Sequence, residues 1–381
     1  LHGIAGSVYI NNAEVNVSAP AARVYDSGVT NLQVSVQPRD GRLFLDGSAV
    51  IGGAAADGLR LVNESPLANL VGGTFSDWSL DGSLRAELSL GLDLSNLAAA
   101  PRVNLDSEWR GVTIDTAGIG LVIHDTNGNL HYDSRTGFSG GQFSGKLWGR
   151  PITATVSQGR LDGQLAPVDV ALQSNVDVTD LRDWLQLDLM ALAEGTAAVQ
   201  GHILVPPGEL ARFEAGSDLR GVSLDLPNPW NKAPEEELSL SLTMPLAGGA
   251  RPLKINIEEA LFLDVLLGDD GFAGGSLGFG SSVEAEQGRF VLGGHTVRLR
   301  LDEWNEFLSE YFGVGESSFA TGLLLGVRGL QVDELVMFGQ EFTDVTLNAQ
   351  QDADSWRLDV ATDWMQGQVI SPTDFSRADI A

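Results

Sequence analysis

The chain has 381 residues and a formal charge of −28, from 23 basic and 51 acidic side chains. That balance excludes long-range attraction to nucleic-acid phosphates or anionic headgroups, and the absence of cysteine excludes disulfides, thiolate metal sites and cysteine nucleophiles. With 43% apolar residues, 46 glycines and 7% aromatics, the composition suits a core built from many strands and turns. The acids read as a solvated surface. Lysine occurs only at Lys146, Lys232 and Lys254. No window approaches the ~18 consecutive apolar residues of a membrane-spanning helix. The first residue is Leu1, with no leader before it, so the chain reads as an interior piece or a processed form whose anchor lies outside it.

Period-two alternation runs through nearly the whole chain and predicts strands with one dry and one wet face. It begins at Leu32, Val34 and Val36, followed by turn signals at Asp40-Gly41 and Asp46-Gly47. A short helix is expected around Pro66 to Val71. Leu88, Leu90, Leu92 and Leu94 then alternate with Ser89, Gly91 and Asp93. Asn127-Gly128 is the strongest short hairpin signal in the chain; His124 and His131 flank it and would meet across the turn. Val168, Val170 and Leu172 resume the alternation after a turn at Asp162-Gly163. "DLRDWLQLDLMAL", residues 180–192, predicts a helix capped by Asp180, with Leu181, Trp184 and Leu185 together.

Two further runs flank a proline-rich break: Val222, Leu224 and Leu226, then Leu238, Leu240, Leu242 and Met244. Leu253, Ile255 and Ile257 follow, with a turn at Asp270-Gly271. Val297, Leu299 and Leu301 face away from Arg298 and Arg300. "DEWNEFLSEYFG" predicts a helix over 302–312, with Trp304, Phe307, Leu308, Tyr311 and Phe312 on one stripe. Val345 and Leu347, then Trp356, Leu358 and Val360, end the series. No linker divides these runs, so residues 1–381 read as one continuous β-rich body.

Chemical motifs are weak. Gly137 to Gly141 spells G-x-S-x-G, but a nucleophile elbow needs a strand–turn–helix and the following residues are strand-like, so the stretch reads as a glycine-rich turn. The five histidines form no H-E-x-x-H pair. "DTNGN", Asp125 to Asn129, has its glycine misplaced for a calcium loop. "GFAGGSLGFG", Gly271 to Gly280, lacks the lysine of a phosphate loop and reads as a glycine-softened strand. Adjacent acids such as Glu258-Glu259 and Asp269-Asp270 face opposite ways in a strand. No catalytic residue, metal ligand or cofactor site is expected, and the chain reads as a non-enzyme.

"DLRGVSLDLPNPWNKAPEEELSLSL" resembles a recurring element of the YhdP group of AsmA-like proteins, through Gly221, Leu226, Pro227, Pro229 and Lys232. "GKLWGRPITATV", from Gly145, and "SPLANLVGGTFSDWSLDGSLRAELSLGLDL", from Ser65, are similar to other strands of that group. The resemblance implies an all-β fold with a few short helices. Its long, mainly antiparallel sheet would curl into a U-shaped groove lined by apolar side chains. It also implies a protein of the Gram-negative periplasm, anchored in the inner membrane, that passes phospholipid toward the outer membrane. The lining residues would then be the alternating series above, from Leu88 to Leu347. The partner would be phospholipid acyl chains rather than nucleic acid, with envelope proteins unspecified. The competing readings are a structural or adhesive β protein with a closed core, an outer-membrane barrel and a polysaccharide enzyme.

Overall fold

The computed structural model describes the chain except residues 1, 13, 65–74, 97, 118–119, 162–163, 186–191, 207–208, 229, 247–250, 269–270, 302, 304–323, 338, 353–354, 373–378 and 381. Strands make up 74% of it and the two helices are short, so among the described residues no helical layer is large enough to cover the sheet. The helix expected around Pro66–Val71, that over 302–312 except Glu303, the turn at Asp162-Gly163 and the acid pair Asp269-Asp270 fall outside the described residues.

Two compact units are distinguished: Leu1–Asn175 with Gln200–Phe213, and Val176–Val199 with Glu214–Ala381. Unit 1 is an antiparallel meander. Its strands are β1 (His2–Asn11), β2 (Glu14–Val24), β3 (Ser27–Arg39), β4 (Arg42–Ala54), β5 (Trp78–Asp93), β6 (Arg102–Thr116), β7 (Leu121–Asp133), β8 (Gly137–Leu147), β9 (Arg150–Leu161) and β10 (Gln164–Asp177). Each pairs with the strand before it in sequence. The expected turn at Asp40-Gly41 joins β3 to β4 with both residues at positive φ, as a tight hairpin of right-handed strands requires. Helix α1 (Ala55–Asn63) follows β4.

The described strands of unit 2 begin with the end of β10 and the start of β11 (Ala193–Val205), followed by β12 (Arg212–Ser217), β13 (Val222–Leu224) and β14 (Leu240–Pro245). Next come β15 (Arg251–Ile257), β16 (Leu261–Gly268), β17 (Gly271–Phe279), β18 (Glu286–Gln287) and β19 (Arg289–Arg300). The last are β20 (Leu324–Met337), β21 (Gln340–Gln351), β22 (Ser355–Ala361), β23 (Gln366–Pro372) and β24 (Asp379–Ile380). β14 to β17 and β20 to β24 are antiparallel ladders. Between them, β17–β19 and β19–β20 pair in parallel, so the sheet is mixed rather than purely antiparallel.

Helix α2 (Val178–Leu185) forms where 180–192 was expected, with Leu185 buried and Leu181 and Trp184 half-buried. Its first turn is held by Asp177, whose Oδ1 accepts the Thr179 N–H at 3.0 Å, and Asp180 lies inside the helix instead of capping it.

Three expected turns are strand instead. Asn127-Gly128 is not a turn; it sits in the middle of β7, so His124 and His131 share one strand and do not face each other. Asp46-Gly47 is likewise interior to β4. Gly137–Gly141 opens β8, with Gly140 at a φ of 63° in a bulge. In β7 and β8, residues typical of turns serve strands whose register slips, whereas Asp46 and Gly47 stand in regularly paired strand. Asn31, Gly111, Asp125, Gly140 and Gly329 take left-handed φ where the pairing of β3, β6, β7, β8 and β20 shifts. Such bulges bend a strand and increase its twist. The "GFAGGSLGFG" stretch forms β17, as a glycine-softened strand should.

Candidate functional site

The ladders place the alternating apolar residues of unit 1 in rows across the sheet. One row runs Leu84–Trp109–Gly128–Phe143–Ala154–Leu172 through β5 to β10. Another runs Ala49–Leu88–Leu105–Tyr132–Phe138 through β4 to β8. Val156 pairs with Val170, Leu90 with Val103, and Leu92 with Leu45. Because side chains alternate faces along a strand, these rows share one side of the sheet. The other side carries Arg85 with Glu87, Glu108 with Arg110, and His131, whose Nδ1 lies 2.7 Å from Asp106 Oδ1. Among the described residues no cluster of His, Asp or Glu has the arrangement of a metal site.

The apolar side is half-covered. Leu84, Leu88, Leu90, Leu92, Leu94, Val168, Val170 and Leu172 are all half-buried, while Arg85, Glu87 and Ser89 between them are exposed. In a closed sandwich such residues would be packed against a second inner face. Of β5, only the small Ala86 is fully buried.

Several polar groups on this side are satisfied locally, whereas the buried Thr126 hydroxyl has no hydrogen-bond partner among the described residues. Trp109 Nε1 donates to Ser107 Oγ at 3.2 Å, and Ser107 Oγ donates to the Leu130 carbonyl at 3.3 Å. Gln158 donates from Nε2 to the Ala166 carbonyl at 2.8 Å and accepts the Phe138 N–H at 3.3 Å. Burial among apolar neighbours raises the pKa of the Tyr132 phenol, with the Asp133 charge adding to it, so the ring stays neutral.

Unit 2 has a comparable row. Leu242–Ile255–Leu263–Leu277–Leu292–Val327–Ala349–Leu358–Val369 are successive partners from β14 to β23. All nine are half-buried and none is charged. Eight inter-strand gaps at ~4.8 Å make this row about 38 Å long. Beside it, Leu240, Ile257, Leu301 and Leu347 are half-buried, and Met244, Leu253, Leu299 and Val345 are buried. Val345 and Leu299 belong to a cluster with Phe279, Leu330, Val332 and Leu335. Val297 departs from its expected side. It is 66% exposed, while Thr296 and Leu299 are buried.

Of the two runs around the proline-rich break, the first forms the short strand β13 and the second forms β14, with a folded loop between them. Val222 packs with Val178 and Ala197, with Leu224 against them; Leu226 and Leu238 are half-buried in the loop. Lys232 is 5% exposed and ties the loop shut. Its Nζ donates to the carbonyls of Val222 at 2.7 Å, Leu219 at 2.9 Å and Ala233 at 3.0 Å. Trp230 leans on Phe279, ring centroids 5.6 Å apart.

Sequence alternation thus located at least one member of each long row. It missed Trp109, Phe143 and Gly128, whose signal was concealed by a turn-like dipeptide. It also missed Leu263, Leu277, Leu292 and Val327, which stand in nearly continuous apolar runs where period two is hard to read.

An all-β fold bent by bulges, with uncharged apolar rows in each unit and ion pairs on the opposite side of the unit 1 strands, defines the class of protein. The profile of the YhdP protein family matches residues 1–381, and the chain belongs to that family, among the AsmA-like proteins of the bacterial envelope. No curated protein matches it closely enough to name a relative.

Proposed function

We propose that this chain is a segment of a phospholipid carrier working in the periplasm between the inner and outer membranes, its apolar rows seating acyl chains. The observation that carries the reading is the row from Leu242 to Val369: nine strands wide, uncharged, and half-buried at every position. Half-buried leucines and valines remain attractive to hydrocarbon. Each methylene removed from water is worth ~0.8 kcal/mol, so a palmitoyl tail needs about 13 kcal/mol of apolar cover to leave a bilayer without penalty. A repetitive lining supplies that cover with no deep well, so lipid can slide. The seats are the half-buried members of the alternating series; Val222, Met244, Leu253, Leu299 and Val345 are buried beneath them and Val297 is exposed. The chain works as a carrier rather than an enzyme, without cofactor or nucleic acid.

The test is lipid extraction from the purified chain followed by mass spectrometry. Phospholipid in near-stoichiometric amount is the expected result. Protein that is lipid-free and stays so after incubation with phospholipid vesicles would leave only a structural β scaffold.

A further inference from the structure

We propose that helix α1 is the wall that ends the acyl seat of unit 1, and that it thereby sets the tail length this seat accepts. The inference rests on the lipid-carrier reading. α1 lies on the apolar side of the sheet, against β4 and β5. Gly58 sits directly on Leu84: a Cβ added at 58 would come within 2.3 Å of Leu84 Cδ2. A contact without room for a methyl group has no room for a methylene chain. Ala55 at the start of the helix is completely buried.

Polar contacts fix the helix on the same side. Ser27 Oγ donates to Asp57 Oδ2 at 2.5 Å, and the Asp26 N–H donates to that oxygen at 3.2 Å. At the other end, the Arg60 guanidinium stacks on the Tyr25 ring at 4.1 Å, and Glu64 accepts from both Arg60 Nε and the Tyr25 hydroxyl. Farther along β5, Leu88, Leu90 and Leu92 stay half-buried. From Leu92 to Leu84 is ~26 Å of strand. A tail lying along this stretch from the Leu92 end meets α1 at Leu84 and stops there.

Two substitutions move the wall in opposite directions. Leu84→Ala opens space in front of α1, and Ala86→Leu fills the position just before it. Glu87→Gln, on the charged side, is the control. The purified chain and each variant are incubated with vesicles containing an equimolar mixture of diacyl phosphatidylethanolamines graded from myristoyl to arachidoyl. Bound lipid is then identified by mass spectrometry, with denaturant unfolding confirming that each variant is folded. Leu84→Ala should shift the bound distribution toward longer tails by about two to three carbons, the volume that Leu→Ala releases. Ala86→Leu should shift it toward shorter ones, and Glu87→Gln should leave it unchanged. Bound lipid with the same distribution in all four proteins overturns the wall while leaving the carrier reading intact. Absence of lipid from every one, wild type included, removes the carrier reading and this inference with it.

Discussion

The ring of Phe143 occupies the space above Gly128, its cross-strand partner: a Cβ at 128 would come within 2.4 Å of Phe143 Cδ1 and 2.3 Å of the Gln142 carbonyl oxygen. Trp109, the partner of Gly128 on the other flank, meets Phe143 edge to face at 5.5 Å. The glycine is thus the floor beneath an aromatic pair, a device that compensates for glycine in a strand. Gly128→Ala should therefore destabilise the chain by about 1–3 kcal/mol through overpacking. Gly159→Ala, with nothing within 4 Å of the added carbon, should change stability by less than about 0.5 kcal/mol. Urea unfolding followed by tryptophan fluorescence measures both; equal effects would remove the packing argument.

The same dipeptide shows what a sequence conceals. Strand positions were legible wherever leucine or valine alternated with polar or small residues, as from Leu88 to Leu94 and at Leu242 and Ile255. Bulges were not. Asn127 donates from Nδ2 to the Asp125 carbonyl at 2.6 Å and accepts the Gly111 N–H at 2.9 Å, so it buttresses two bulges at once. In a hairpin the same asparagine would serve the turn, and local chemistry cannot tell these uses apart because both need left-handed backbone nearby. The parallel pairing of β17, β19 and β20 was equally hidden, since alternation carries no strand direction.

Lys232 is a second point where a buried group governs a loop. All three ammonium donors are committed to carbonyls, so removing them leaves those carbonyls short of partners. Lys232→Met should cost on the order of 3 kcal/mol. The Trp230 contact with Phe279 depends on the loop, so tryptophan emission should shift to the red below the global transition. Unchanged stability in Lys232→Met would show that the loop holds by its apolar contacts alone.

The clasp of α1 should be sensitive to pH from both sides. Hydrogen bonds from Arg60 first and Tyr25 second hold the Glu64 carboxyl below its usual pKa. A depressed acid stabilises the fold above its unfolded pKa of ~4.3, and that contribution disappears as pH falls through the folded value. The hydrogen bond to Glu64 raises the Tyr25 phenol, so its contribution is complete below ~10 and disappears as pH rises through the folded value. Amide protection factors in residues 56–63 should therefore be highest between these limits and decline at each end. Glu64→Gln should remove the decline on the acid side; an unaltered acid limb in that variant would show that Glu64 does not govern it.

The strongest demand falls on the two faces of β14. Leu242 heads the nine-strand apolar row, and Ser241 beside it is exposed on the opposite side. A carboxylate placed where acyl chain should lie must be desolvated, at a cost of several kcal/mol, or must exclude the chain. Leu242→Asp should consequently lower bound phospholipid several-fold. With lipid absent, the residue is only half-buried, so its unfolding midpoint should fall far less than that of a core aspartate such as Val332→Asp. Ser241→Asp adds the same charge and should leave lipid content unchanged. Mass-spectrometric lipid content alongside unfolding midpoints separates the outcomes. Equal lipid loss in Ser241→Asp would mean that charge itself, rather than the face on which it stands, controls binding, and the apolar rows would then have no claim to be the acyl seat.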